Sequence, residues 1–194
     1  MNDMSIVKKN FYSFIGNIIK DNKLSHAYLI EVSNYDLDYK CVLDFVKTIL
    51  CGHNSFFNEN ESKNCNVCKQ VDENCYVDLK IIEPDGNFIK KQQLLDLKNE
   101  FQNKSLLGNK KIYIIKEAEK LNAASANTML KFLEEPEDDI IAILLTSNRY
   151  KIIDTIISRC QILTLKEESC DIKHVEEVGN FINNLININD LFIT

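Results

Sequence analysis

The residues with the clearest chemical potential are cysteines, because five of the seven lie within 35 positions. Cys65 and Cys68 have the C-x2-C spacing that lets two thiolates bind one zinc ion from a tight turn. The neighbouring cysteines are Cys41, Cys51 and Cys75. Cys41 falls among the apolar positions of a predicted helix, where a small core residue is more common than a ligand. In a reducing compartment this pattern indicates a metal site rather than disulfides.

Composition and the N-terminal segment favour a protein of that compartment. The segment MNDMSIVKKNFYSF lacks the apolar region of a signal peptide, and no apolar run approaches membrane-spanning length, so we expect a cytoplasmic location. Apolar residues make up 45% of the 194 residues, enough for a sizeable core. The net charge of −6 is a poor fit to a protein that binds nucleic acid by itself. Contacts with DNA, if they occur, should therefore fall mostly to partner proteins.

A second group of motifs occupies the stretch from Lys111 to Cys160. The apolar strand KIYII leads into an acidic turn, a helix closes on LKFLEEP, and the strand IIAILL ends in Thr-Ser-Asn before a final Ser-Arg-Cys. This order resembles the AAA+ clamp-loader subunits of bacterial DNA polymerase III, and within them the delta-prime subunits. The resemblance covers about residues 5 to 165. It implies a RecA-like core that works inside a ring of several subunits.

The resemblance also places a nucleotide loop after the strand Ala27 to Glu31, and this loop is degenerate. A working loop reads GxxxxGK[ST], because glycines let backbone N–H groups cradle phosphates and the lysine reaches the outer ones. The chain has no glycine between Gly16 and Gly52, and Asp38 takes the lysine position, where it would repel a triphosphate. A shift of register to Lys40 does not restore the glycines. The loop positions are Val32, Ser33, Asn34, Tyr35, Asp36, Leu37, Asp38 and Tyr39. The alternative interpretation is an ordinary strand-to-helix loop that never had a nucleotide role. Neither the degenerate loop nor the ordinary loop predicts ATP binding.

The acidic turn is similarly altered. In a Walker B strand the first carboxylate helps to hold magnesium and the second polarises the attacking water. Lys116 occupies the first position and Glu117 the second, and a cation cannot ligate magnesium. We therefore expect the chain by itself to be no enzyme, although the family is a component of the DNA-directed DNA polymerase III holoenzyme.

Arg159 is the catalytic residue that the resemblance implies, flanked by Ser158 and Cys160. In the family the Ser-Arg-Cys motif supplies an arginine finger to ATP held by the neighbouring subunit. A guanidinium is permanently charged, and its planar fork of donors suits phosphate oxygens as charge develops. The alternative is that Arg159 simply pairs with a nearby carboxylate, as most surface arginines do.

The resemblance extends the cysteine pattern into a zinc module inserted at about residues 51–76. Family members place one cysteine at the end of a core helix and three more in a C-x2-C-x2-C run. Ser62 stands at one of these four positions, and a hydroxyl is a poor zinc ligand, so the fourth ligand is open between a later cysteine and His53. The expected ligands are Cys51, Cys65, Cys68 and Cys75. An eroded module with reduced thiols is the competing interpretation.

Hydrophobic periodicity places these motifs on an alternating α/β framework. Helices are predicted over Ser5 to Asp21, up to Cys51, and over Lys91 to Gln102, with a further helix capped by Asn122 and ended before Pro136. The polar stretch Gly52 to Asn64 is predicted to be a loop. Continuous apolar strands are typical of a parallel sheet covered on both faces. The predicted strands are Ala27 to Glu31, Leu79 to Ile82, Lys111 to Ile115, Ile140 to Leu145 and Gln161 to Leu165.

The predicted fold is an α/β three-layer RecA-like AAA+ core over residues 1–165. Residues 166–194 are expected to be a linker at Glu167 and Glu168 followed by the start of a helical lid or collar. The implied partners are the gamma/tau ATPase and delta subunits, with the sliding clamp and primed DNA reached through the complex. Two other functions are open: an active gamma/tau-like ATPase, and a zinc-dependent nucleic-acid binding module. The degenerate loop opposes the first, and the acidic balance opposes the second.

Overall fold

The computed structural model describes residues 5–21, 23–52, 59–101, 110–137 and 139–166. Over these residues five strands form one parallel sheet in the order β2-β3-β4-β1-β5. The strands are β1 (Ala27–Glu31), β2 (Leu79–Ile82), β3 (Lys111–Ile115), β4 (Ile140–Thr146) and β5 (Gln161–Thr164). The first strand in sequence therefore lies between the last two, which places the loop after β1 near the middle of the sheet.

Helices cover both faces of this sheet. They are α1 (Ile6–Asp21), α2 (Tyr35–Cys51), α3 (Glu59–Asn64), α4 (Asn66–Asp72), α5 (Lys91–Phe101), α6 (Ala123–Glu134) and α7 (Asp154–Ile157). Short 3-10 turns follow β3 and β4, at Ala118–Lys120 and Arg149–Lys151. Among the described residues, no helix combines the length and the apolar character that a membrane span would need.

The core has two layers because successive strand residues point to opposite faces. On β1, Tyr28 and Ile30 pack with the layer that contains α1 and α2, whereas Leu29 packs with the layer that contains α5 and α6. Ile143 and Leu144 on β4 divide in the same way. All five residues of β1 and all five of β3 are buried. The predicted three-layer α/β core with a doubly covered parallel sheet is confirmed.

Local signals fixed several boundaries as expected. The Asn122 side chain accepts a hydrogen bond from the Ser125 backbone N–H at 2.9 Å, so Asn122 is the N-cap of α6. The helix ends at Glu134, two residues before Pro136. The three inner strands and β2 begin at the predicted residues, and β4 continues one residue further than expected, to Thr146.

The region after Gly52 differs from the prediction. The polar stretch predicted as a loop contains α3, and the C-x2-C pair lies at the start of α4 rather than in a tight turn. The sequence of α3, ENESKN, has no apolar periodicity, which is the signal that reveals amphipathic helices. Residues 53–58 and 167–194 lie outside the described residues, and with them His53, Cys170, the linker and the predicted C-terminal helical region.

Candidate functional site

The loop after β1 is short. Three residues, Val32, Ser33 and Asn34, connect Glu31 to the first residue of α2. None of the three has a positive φ, so the loop lacks the left-handed residues that turn successive N–H groups toward one anion. The Asn34 side chain instead accepts from two backbone N–H groups of α2 and serves as its N-cap.

A carboxylate of the chain itself occupies the anion position of this loop. Asp38 lies in the first turn of α2 and is only 3% exposed. One of its oxygens accepts hydrogen bonds from the backbone N–H groups of Ser33 (2.9 Å) and Asn34 (3.2 Å). Its other oxygen pairs with Lys8 Nζ of α1 at 3.1 Å. The N–H groups that would meet a phosphate in a working loop are therefore already satisfied by an internal anion.

Lys116, at the first Walker B position, contacts a carboxylate and an aromatic ring of this chain. Its Nζ lies 2.6 Å from Glu83 Oε1 and 4.2 Å from the centre of the Tyr39 ring. Burial, followed by the charge of Glu83, raises the pKa of Tyr39 to about 12, so the ring facing the ammonium is a neutral phenol. A positive charge thus takes the place where a magnesium ligand would be required.

Glu117, at the second Walker B position, pairs with a nearby lysine. Its backbone is left-handed, with φ of 52°, which is uncommon for a residue that carries a Cβ. Its carboxylate pairs with Lys120 Nζ at 2.6 Å within the following 3-10 turn. A carboxylate engaged in this way is poorly placed to polarise a water molecule.

Glu119 is the residue of this turn that reaches the centre of the site. Its carboxylate accepts hydrogen bonds from the hydroxyl groups of Tyr35 (3.0 Å), Thr146 (2.8 Å) and Ser147 (2.5 Å). The Ser147 backbone N–H donates to it as well, at 3.3 Å. The cluster connects the first residue of α2, the turn after β3 and the end of β4. It therefore lies at the carboxyl ends of the neighbouring strands β3, β4 and β1.

These hydrogen bonds set the protonation of the cluster. Burial acts to raise the pKa of Glu119, but the hydrogen bonds from Ser147, Thr146 and Tyr35 outweigh it and hold the pKa below its usual range. Burial and the charge of Glu119 raise the pKa of Tyr35, which therefore stays a donor. The cluster is consequently one carboxylate and three neutral hydroxyl groups at neutral pH.

The residues of the Thr-Ser-Asn sequence at the end of β4 form contacts within this cluster and the turn that follows it. Thr146 and Ser147 contact Glu119, and the Asn148 side chain accepts from the Tyr150 N–H at 2.9 Å to cap the next turn. Sequence reasoning gave Glu119 no role within the acidic turn, and it included Tyr35 only as one position of the degenerate loop. Their only sequence signal was the presence of polar residues beside two buried strands.

Arg159 lies on the surface beside the end of the LKFLEEP helix. Its guanidinium pairs with Glu134 Oε1 at 2.9 Å and donates to the Thr155 carbonyl at 2.8 Å. About a third of its side chain is exposed, so the ion pair is partly hydrated. Ser158 and Cys160 flank it, and burial raises the pKa of the Cys160 thiol to about 12, so this thiol is neutral and unreactive.

The sheet places Arg159 far from the degenerate loop. Arg159 comes two residues before β5, and Gln161 at the start of that strand pairs with Tyr28. The loop after β1 begins at Val32, at the opposite end of the same parallel pair, four residues beyond Tyr28. At about 3.3 Å per residue this length of strand is roughly 13 Å. Arg159 therefore lies at the opposite end of the sheet from this chain's own loop.

Three of the four predicted metal ligands come together. The sulfur atoms of Cys51, Cys65 and Cys68 all lie within 4.8 Å of one another, and those of Cys51 and Cys68 are 3.5 Å apart. Around a tetrahedral zinc with bonds of about 2.3 Å, neighbouring sulfurs are about 3.8 Å apart. The three thiols therefore fit one face of a zinc coordination sphere with small adjustments.

Cys75 is not brought to this cluster, contrary to the ligand set predicted from the sequence. Its thiol is exposed, and its Sγ lies 3.9 Å from Glu73 Oε2. The cause is α4, a helix of seven residues with Cys65 before its first residue and Cys75 beyond its last. At 1.5 Å per residue the helix separates its two ends by about 10 Å. The Ser62 carbonyl accepts a hydrogen bond from the Cys65 N–H at 3.2 Å, at the start of α4.

A cavity of about 610 Å³ opens at the other end of the sheet. It lies between α5 and α6, near the amino ends of β1, β3 and β4, and is lined by residues such as His26, Phe101, Tyr113 and Phe132. It does not adjoin the degenerate loop, so it offers no alternative site for a nucleotide there.

Comparison with known proteins gives a consistent family assignment. A family model described as DNA polymerase III, delta subunit, matches residues 7–169. Among curated proteins, subunit delta' of DNA polymerase III from Bacillus subtilis (strain 168) is 36% identical over 161 residues. The match covers 83% of this chain and 48% of that protein, so the chain spans about half the length of this relative.

Solved structures support the same fold. A DNA polymerase III gamma subunit-related protein from Thermotoga maritima matches with a TM-score of 0.59 and 18% identity, covering 84% of this chain and 47% of that one. The DNA clamp loader delta protein of Bacillus subtilis matches with a TM-score of 0.51 and 10% identity, covering 92% and 48%. At these identities the similarity is evidence for the fold alone.

Proposed function

This chain belongs to the DNA polymerase III delta subunit family, and we propose that it forms the AAA+ core of a delta-prime-like clamp-loader subunit. In this role it hydrolyses no ATP itself and helps to load the sliding clamp onto primed DNA. Its partners are the gamma/tau ATPase and delta subunits, and it reaches the clamp and DNA through the complex. Arg159 completes the ATP site of the neighbouring ATPase subunit.

The observation that carries the proposal is the internal anion at the degenerate loop. Asp38 is buried against the two N–H groups of the loop, and a triphosphate would have to displace it or lie beside it. Lys116 adds a second obstacle, because it is paired where magnesium would need a carboxylate. These contacts also oppose the alternative of an active gamma/tau-like ATPase.

Calorimetry with ATP and magnesium tests this part. We expect no heat of binding with nucleotide up to millimolar concentrations, for the purified chain and for an Asp38→Ala variant, since glycines and a magnesium ligand are missing in both. An ATPase-competent clamp-loader subunit is the positive control. Micromolar binding by the unaltered chain would refute the proposal.

The trans role of Arg159 is supported by its place at the sheet edge. It precedes β5, the edge strand, and lies at the end of the sheet opposite the chain's own loop. Its partial exposure leaves the guanidinium accessible, and the exposed pair with Glu134 is weak enough to exchange for a phosphate. A planar fork of donors then matches the charge that develops in phosphoryl transfer.

A reconstituted loader containing the full-length subunit tests this role. Arg159→Ala should assemble normally but reduce clamp- and DNA-stimulated ATP turnover. An arginine finger contributes up to about 10³–10⁵ in rate in the best-studied GTPases, and a smaller overall loss is expected where only one of several ATP sites depends on it. Arg159→Lys should restore little, because the ammonium lacks the fork.

Glu134→Gln is the matched control, since it removes the intramolecular partner of Arg159 and leaves the guanidinium in place. We expect near-normal ATP turnover from it. If Arg159 acted only through its pair with Glu134, the two substitutions would impair the loader equally. Normal ATP turnover and clamp loading by Arg159→Ala would disprove the trans role.

The cysteine cluster is proposed to hold a structural zinc ion. The supporting observation is the convergence of Cys51, Cys65 and Cys68 at sulfur separations close to those of a zinc site. When bound, zinc would cross-link the end of α2 to α4 and so fix the inserted module on the core. Metal analysis of protein purified without added zinc tests this, and a content near zero would favour a module that has lost its metal.

A further inference from the structure

Two of the clustered thiols are in direct contact. The sulfur atoms of Cys51 and Cys68 lie 3.5 Å apart, at hydrogen-bond distance for a pair of thiols. The Cys51 thiol also donates a hydrogen bond to the Lys47 carbonyl at 2.9 Å, which orients it on the last turn of α2. A disulfide bond is about 2.05 Å long, so the two sulfurs need to approach by only about 1.5 Å to form one.

The packing of α2 against α4 holds these sulfurs together. Cys51 is the last residue of α2, and Cys68 lies in the first turn of α4. Val71 of α4 is fully buried in the core cluster that also contains the apolar residues of α1 and α2. Lys47 of α2 pairs with Asp72 of α4, with 2.5 Å between Nζ and Oδ1. The contact between the two thiols is therefore set by the fold and not by a flexible loop.

We infer that Cys51 and Cys68 form a reversible disulfide when the chain reacts with a hydroperoxide. These cysteines are two of the ligands of the zinc site proposed above. The inference rests on the contact between their sulfurs, however, and it applies to the metal-free chain whether or not zinc binds. A pair of cysteines that forms and breaks a disulfide in a reducing compartment is typical of a redox sensor.

The reaction is a two-electron oxidation of the thiol pair. Cys51 is partly exposed, so its sulfur is the one that hydrogen peroxide reaches, whereas Cys68 is fully buried. Attack by the Cys51 sulfur breaks the O–O bond, gives a sulfenic acid and releases one water. The Cys68 sulfur then displaces the sulfenic hydroxyl, which leaves with the Cys68 proton as a second water. The peroxide has accepted two electrons, and a dithiol reverses the change by thiol–disulfide exchange.

The disulfide cross-links the end of α2 to α4. A zinc ion held by Cys51, Cys65 and Cys68 would make the same connection through the metal. Because the thiolate is the form of cysteine that binds a metal, zinc and the disulfide exclude each other. Oxidation therefore exchanges a metal cross-link for a covalent one, and the inserted module responds to peroxide.

Peptide mapping of the oxidised full chain identifies the bond. Metal is removed with a chelator, hydrogen peroxide is added, the remaining thiols are alkylated in denaturant, and the protein is digested with trypsin. Cleavage after Lys47, Lys63 and Lys69 places Cys51 on one peptide and the C-x2-C pair on the next. A bond from Cys51 joins the two peptides, whereas a bond within the C-x2-C pair stays inside one of them.

We expect the joined peptides, with a mass about 2 Da below the sum of the two reduced peptides, to be the main product. Cys65→Ser should form this product at an unchanged rate, and Cys68→Ser should lose it. Cys75→Ser is the matched control, since the Cys75 thiol lies outside the cluster, and it should behave like the unaltered chain. Circular dichroism confirms that each variant is folded.

Two results would overturn the inference. One is a disulfide confined to the C-x2-C peptide of the unaltered chain, or loss of the joined product in a folded Cys65→Ser variant, since either would assign the bond to Cys65. The other is oxidation of the exposed Cys75 thiol with no disulfide in the cluster. Joined peptides from a chain that binds no zinc would support the disulfide and refute only the proposed zinc site.

Discussion

Replacement of Asp38 by alanine tests whether an internal carboxylate holds the degenerate loop. The substitution removes the acceptor for the Ser33 and Asn34 N–H groups and the partner of Lys8. The loop N–H groups would then need water, and the connection between α1 and the start of α2 would be lost. We expect the variant to fold and to be clearly less stable.

The magnitude follows from these contacts. A hydrogen bond to a charged group contributes about 1.5–3 kcal/mol. Ser33 and Asn34 are themselves exposed, so water can replace part of each bond, and the lower end of the range applies. The Lys8 side chain is 28% exposed, which limits the ion pair to about 1 kcal/mol or less. The sum is about 3 kcal/mol.

Urea unfolding at pH 7 and 25 °C measures this difference, and thermal unfolding should show a decrease in Tm of about 6–12 °C. Asp36→Ala is the control, since Asp36 lies in the same turn of α2 but is exposed. It loses only its interaction with the helix dipole, about 0.3–1 kcal/mol. Asp38→Asn should be intermediate, because the amide keeps an acceptor oxygen and loses the charge.

The result that would refute this reasoning is a difference of less than about 0.5 kcal/mol between Asp38→Ala and Asp36→Ala. The buried carboxylate would then be a passive occupant of the loop. The loop geometry would have to be maintained by the Asn34 cap alone.

Two further substitutions probe the contacts around the site. Glu119→Gln should lower stability by about 1–3 kcal/mol at pH 7, because three hydroxyl groups and one N–H donate to this carboxylate. Since the pKa of Glu119 is lowered in the folded state, its contribution is complete above the unfolded pKa and is lost as the pH falls through the folded pKa. The difference in the free energy of unfolding between Glu119→Gln and the unaltered chain, measured with urea, should therefore shrink below about pH 4.5. A difference that does not depend on pH would contradict the charge argument. Glu117→Gln, two residues away, is the control. Lys47→Met should cost about 2 kcal/mol, as the buried ammonium holds Asp72 of α4 at 2.5 Å. Asp72→Asn should cost less, since the Asp72 side chain is about half exposed. No loss of stability from either substitution in calorimetric unfolding would show that the pair does not anchor α4.

The sequence by itself determined the framework of this protein. Continuous apolar runs such as Lys111 to Ile115 can be satisfied only by burial on both faces, which dictates a parallel sheet between helices. The missing glycines after β1 and the lysine at position 116 were also legible without a structure, since a phosphate loop and a magnesium ligand depend on residue type. The C-x2-C spacing pointed to Cys65 and Cys68, whose sulfurs lie within 4.8 Å of each other and of Cys51 Sγ.

Tertiary structure decided which side chains lie at the degenerate nucleotide loop and at the neighbouring strand ends. The contact of Glu119 with Tyr35, 84 positions away, follows from the strand order, because β1, β3 and β4 end at one edge of the sheet. Periodicity within one segment carries no information about such pairs. The contact between Asp38 and Lys8 depends likewise on how α1 packs against α2.

The cysteine cluster shows the same division at short range. Spacing alone allowed Cys75 as the fourth ligand, because a flexible loop would bring it back to Cys68. The structure forms α4 instead, and a helix is a rigid rod that holds its two ends about 10 Å apart. Residue types therefore indicated the kind of site, while helix geometry kept Cys75 away from the sulfurs of the other three cysteines.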